Sequence, residues 1–129
     1  MTLKEIQKIV EETLPKIVKH YGFSKFQDST PYVDYDTSIY SHLSGEEDDG
    51  TVGEENPDAE YCSMNNEIIL YYPKMEDRQH VVETLVHEYQ HYLQSPSWMK
   101  RYYNMGYGYS DHPYEIAAYK EEKNWIRFV

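Results

Sequence analysis

Leu3, Ile6, Ile9, Val10, Leu14, Ile17, Val18 and Tyr21 recur at the spacing of one face of an α-helix, which predicts an amphipathic helix over residues 3–20. Thr2 and Glu5 have the form of a capping box at its start, and Gly22 supplies a stop. Pro15 is expected to kink it. The simplest use of such a helix is packing. Residues 23–43 lose this periodicity and are rich in Tyr, Thr and Ser, which predicts one or two short strands around 31–42. Residues 44–60 carry eight acids with three glycines and one proline, so an exposed loop is expected. The ligand spacing of an EF-hand is absent from it. In 60–73, two strand-like runs (61–64 and 67–72) flank Asn65-Asn66, a pair that tolerates the positive φ of a tight hairpin turn, and Pro73 closes the second run.

Helical spacing returns over 77–94. With Val81 at 0° and about 100° per residue, Val81, Val82, Leu85, Val86, Tyr89, Tyr92 and Leu93 fall between roughly 0° and 140°. His87 and His91 fall at about 240° and about 280° on the opposite side, with Glu88 at about 340° on one edge of that face. Ser95-Pro96 ends the helix. The stretch 97–112 reads as part helix at most, then a Gly/Tyr loop. Pro113 opens a final helix from 114 to about 128. There are no internal repeats, and the order of elements gives an α+β class.

The length of 129 residues suits one domain spanning 1–129, and a hydrophobic content of 40% allows a modest core. Fifteen tyrosines mean that much of this interior must keep hydroxyls near water or a partner. A formal net charge of −11 argues against nucleic acid and anionic membranes as partners. No run approaches the roughly 20 apolar residues of a membrane span, and the first residues do not have the pattern of a signal peptide. The lone Cys62 forms no intrachain disulfide and reads as a small, half-buried apolar residue. A soluble, cytoplasmic protein is the expectation.

The chemistry lies in "LVHEYQHYLQ". Residues four apart are neighbours on one helical face, so His87 and His91 can share one ion, and two neutral imidazoles suit zinc. Glu88 stands beside the first of them, where a carboxylate can take a proton from a zinc-activated water. The alternative is a chance pattern on an ordinary helix, which predicts no third ligand. On the last helix, Glu115 sits in an apolar stripe with Ile116, Tyr119, Trp125 and Ile126, where a carboxylate costs several kcal/mol unless paired or metal-bound. Ala117 and Ala118 beside it permit a close approach to another element. His87, His91 and Glu115 thus form a two-nitrogen, one-oxygen set of the kind catalytic zinc uses, with one Zn2+ expected per chain. The bland reading of Glu115 is a first-turn acid favoured by the helix dipole, or a partner of His112.

"HEYQH", followed 24 residues after His91 by Glu115 within "HPYEIAAY", resembles the gluzincin branch of the zincin metallopeptidases, above all the small minigluzincins. The resemblance covers roughly 60–125. It implies a zincin-like fold, with a short twisted sheet, an N-terminal helix, a helix bearing HExxH and a C-terminal helix bearing the third ligand. It also implies His87, His91 and Glu115 as ligands and Glu88 as general base, with "NEIILYY" as the edge strand that pairs an extended peptide. The second metzincin histidine motif is absent, and Tyr119 stands where thermolysin-like enzymes often carry an acid. Glu122, one heptad after Glu115 on the last helix, is the candidate to orient a histidine. Tyr107, Tyr109 and His112 are candidate donors to the developing oxyanion. His80 and Thr84 lie on the ligand side of their helix. The expected function is zinc-dependent hydrolysis of a peptide or protein substrate. The alternative is a latent or non-proteolytic zinc-binding protein that keeps the fold.

Overall fold

The computed structural model describes residues 1–37 and 57–129, and they form an α+β arrangement of four helices and a three-stranded sheet. Helix α1 (Leu3–Tyr21) begins with the expected capping box: Glu5 N donates to Thr2 Oγ1 at 3.1 Å and Thr2 N donates to Glu5 Oε1 at 2.9 Å. It runs unbroken through Pro15 and stops at Gly22, whose φ of +82° is a conformation that glycine alone adopts freely. Ile6, Ile9, Val10, Thr13 and Ile17 form its buried face, packed on the central helix α2 (Arg78–Leu93).

The sheet contains β1 (Tyr32–Asp36), β2 (Ala59–Cys62) and β3 (Glu67–Tyr71) in the order β1-β3-β2. β1 runs parallel to β3, from Tyr32↔Glu67 to Asp36↔Tyr71, and β2 runs antiparallel to it, from Ala59↔Leu70 to Cys62↔Glu67. "NEIILYY" is therefore the central strand and not the edge. Its run of Ile68, Ile69, Leu70 and Tyr71 is buried throughout, as befits a strand covered on both faces. Among the described residues β2 is an edge strand, and it packs against α2. The hairpin turn spans 63–66, longer than the two residues expected. Its one left-handed residue is Asn66 (φ 50°), whose side chain accepts from Tyr61 Oη at 2.8 Å and donates to Ser29 O at 3.0 Å. The remainder of the 31–42 strand region and most of the acidic loop 44–60 lie outside the described residues. Cys62 is a half-buried free thiol.

Helix α2 starts at the Asp77 cap, whose carboxylate accepts from His80 N at 2.8 Å. It is the hub of the molecule: every residue from Thr84 to Tyr92 is buried. Its apolar side, with Val81, Val82, Leu85, Val86, Tyr89 and Tyr92, joins Ile6, Ile17, Ile68, Leu70 and Phe128 in one core. Buried tyrosines find partners, as Tyr89 Oη donates to Gly22 O and Tyr92 Oη accepts from Ser24 N. Helix α3 (Pro96–Asn104) is a full element where the sequence predicts a partial one: Ser95 caps it, accepting from Trp98 N, and Pro96 opens its first turn.

Helix α4 (Pro113–Glu121) is shorter than expected and passes into a 3-10 segment, Glu122–Arg127. Its buried face is only Glu115 and Ala118, while Ile116, Tyr119 and Ile126 are exposed. The wide apolar stripe read from the sequence is thus corrected, but Glu115 is buried all the same. No described helix is long and apolar enough to cross a membrane.

Candidate metal centre and its cleft

The polar face of α2 meets α4, with Ala118 permitting the close packing. His87, His91 and Glu115 converge there, each less than a tenth exposed. His87 Nε2 and His91 Nε2 lie 3.3 Å apart, and Glu115 Oε1 is 3.0 and 2.9 Å from them. Three donors at about 2.0–2.1 Å from one tetrahedral ion stand about 3.3 Å from one another, so this triangle is close to a ready-made three-point seat. Among the described residues it is the one group of three or more ligating side chains close enough to share an ion.

The far sides of both rings fix which nitrogen points inward. His87 Nδ1 is 2.6 Å from Glu122 Oε2, and His91 Nδ1 is 2.7 Å from Gln94 Oε1. Each acceptor holds a proton on Nδ1 and so directs the Nε2 lone pair into the triangle. Gln94 is oriented in turn, because its amide nitrogen donates to Tyr114 O at 3.1 Å. Without a metal, the cluster attracts a proton. Burial opposes charge on His87, but hydrogen bonds to Glu115 and Glu122 prevail and raise its pKa to about 10. Burial likewise opposes charge on Glu115, yet the two imidazoles hold it down to about 2. Two imidazoles and one carboxylate that together demand a cation fit a divalent metal ion.

Glu88 lies beside this triangle and lines the same cavity of ≈ 330 Å3, together with Tyr61, Met99, Tyr103 and Tyr109. It is 8% exposed, and its carboxylate accepts no hydrogen bond from any described residue. Burial raises its pKa, against the pull of the His91 and His87 charges.

The candidate donors to an oxyanion part ways. Tyr109 lines the cavity, with its hydroxyl 3.1 Å from that of Tyr119. Tyr107 is exposed and packs on Tyr102 instead. His112 is fully buried, with Nε2–H donating to Met99 O at 3.0 Å and Nδ1 accepting from Tyr114 N at 3.1 Å. Both nitrogens are committed to backbone, so His112 caps α4 and ties it to α3 rather than serving a ligand. The sequence does not single out Tyr103. It lines the cavity close enough to Glu115 for that charge, after burial, to help raise its pKa. Only the folding of α3 brings it there. His80 pairs with Asp58 at 2.7 Å, and Thr84 donates to His80 O.

Comparison with protein-family models, curated proteins and solved structures gives no match for this chain.

Proposed function

We propose that this chain is a zinc-dependent peptidase of gluzincin type, with a zincin-like arrangement of its sheet and helices. The observation that carries the reading is Glu88: a largely buried carboxylate that accepts no hydrogen bond from any described residue, in the same cavity as three converging ligand atoms. A structural site has no use for such a group, and it normally takes a fourth protein ligand, whereas three converge among the described residues. That weighs against a merely structural or non-proteolytic zinc site.

His87, His91 and Glu115 would hold the zinc ion, which when bound would supply an acidified water and a Lewis acid for a substrate carbonyl. Glu88 takes the proton released at the attacking water and returns it to the leaving amine. The peptide lies along β2. Tyr71 N donates to Asp58 O, so by antiparallel alternation the backbone groups of Ala59 and Tyr61 point away from β3, towards the cleft side. An extended chain can pair with them as an added strand. The Tyr103 hydroxyl, from a residue that lines the same cavity, is the group we assign to the developing oxyanion.

Hydrolysis of a mixed peptide library by zinc-loaded protein tests this, with Glu88→Gln as the comparison. The variant is expected to keep its zinc and lose activity by about 10²–10⁴-fold. Cleavage at the wild-type rate by the variant would show that the base is misassigned.

A further inference from the structure

His87 and His91 are joined to α4 by different routes. His87 is met from the α4 side directly, because Glu122 follows that helix and its carboxylate stands 2.6 Å from Nδ1. One contact therefore both orients the ring and ties it to the element that bears Glu115. The partner of His91 comes from its own helix. Gln94 lies three residues on, where α2 ends, with its side-chain oxygen 2.7 Å from Nδ1. A contact within one helix orients the ring but fixes nothing between the two helices.

The other end of the Gln94 amide supplies that link. Its nitrogen donates to Tyr114 O at 3.1 Å, in the first turn of α4 and one residue before Glu115. The main chain of Gln94 is itself held, since its N–H donates to Gln90 O and His91 O. The side chain is thus a brace of set length, with one end on the second ring and the other beside the carboxylate-bearing residue. An amide suits both ends. His91 Nδ1–H needs an acceptor and Tyr114 O needs a donor; a carboxylate only accepts and an ammonium only donates, whereas an amide does both on one planar group. A carboxylate serves His87, but at Gln94 it would set an acceptor against the Tyr114 carbonyl.

We propose that Gln94 is a positioning residue that holds His91 Nε2 and Glu115 Oε1 at their separation of 2.9 Å, and so sets the affinity of the centre for a divalent ion. It acts through the His91 ring and the Tyr114 main chain. The proposal rests on the metal-binding part of the reading above and not on peptide hydrolysis.

The test compares wild type with two variants. Gln94→Glu keeps an acceptor for His91 and loses the donor to Tyr114, and Gln94→Met loses both. Zinc affinity is measured by competition with a chromophoric chelator. The visible absorption of the cobalt-substituted protein reports the ligand set, and urea unfolding of the metal-free protein reports the fold. Gln94 is only half-buried, so both variants are expected to unfold in a cooperative transition like that of wild type. Both are expected to bind zinc about tenfold or more weakly and to change the cobalt spectrum. Zinc binding by Gln94→Glu as tight as that of wild type, whatever Gln94→Met does, means that an acceptor at His91 is enough and overturns the brace. Weaker zinc binding with an unchanged cobalt spectrum makes Gln94 a support of the fold alone and also overturns it. A wild-type chain that takes up neither ion overturns the metal centre, and the role of Gln94 falls with it.

Discussion

The carboxylate of Glu122 stands 2.6 Å from Nδ1 of His87, on the opposite side of the ring from the nitrogen that faces Glu115 and His91. A residue in the 3-10 segment after α4 thus sets the tautomer of a candidate metal ligand on α2. Glu122→Gln should keep the fold and weaken zinc binding about 10–100-fold, as measured by competition with a chromophoric chelator. Unchanged affinity would mean that His87 is oriented by packing alone.

Proton and metal compete for the same cluster. In the metal-free protein, His87 has a folded pKa of about 10 against an ordinary 6.5, so its contribution to stability is whole below about pH 6.5 and is lost as pH rises through 10. Glu115, at about 2 against 4.5, contributes fully above about pH 4.5 and loses that contribution as pH falls through 2. The Tm of the chelator-treated protein is therefore expected to decline from pH 6.5 towards 10. Zinc uptake at neutral pH should release protons, giving a calorimetric heat that varies with the ionisation enthalpy of the buffer. A buffer-independent heat would contradict a protonated His87.

His112 is predicted to matter for stability. Its replacement by alanine strips partners from Met99 O and Tyr114 N and leaves a hole where a fully buried ring stood. A loss of about 2–4 kcal/mol in urea unfolding is expected. If His112→Ala were as stable as wild type, the ring would not be the tie between α3 and α4.

Tyr103→Phe removes one hydroxyl from the cavity wall. On the peptidase reading, kcat should fall by about 10²-fold with zinc content and Tm preserved. A loss confined to KM would make Tyr103 a binding contact only.

Much of this is legible in the sequence because it is local. The Thr2/Glu5 box, the Gly22 stop and the HExxH face of α2 all depend on residues within a turn of one another. Glu115 stands out as a costly buried acid beside two alanines, although its apolar neighbours prove exposed. What periodicity does not supply is partner choice across the fold. Strand order is one case, since an edge and a centre differ by what pairs with them, although the unbroken run Ile68–Tyr71 does signal a strand covered on both faces. Ser95-Pro96 reads as an end alone, but the same pair is a cap and first turn that starts α3 and so delivers Tyr103. Gln94 takes its role only through Tyr114, 20 residues on.

The proposed function stands on one zinc ion held by His87, His91 and Glu115. Its most direct measurement is the metal content of protein purified without added zinc, wild type and Glu115→Ala side by side. About one zinc per wild-type chain, lost or greatly weakened in the variant, is the expected result. A wild-type protein that takes up no zinc even when supplied with it, or a variant that holds zinc as firmly as the wild type, would contradict the three-ligand site.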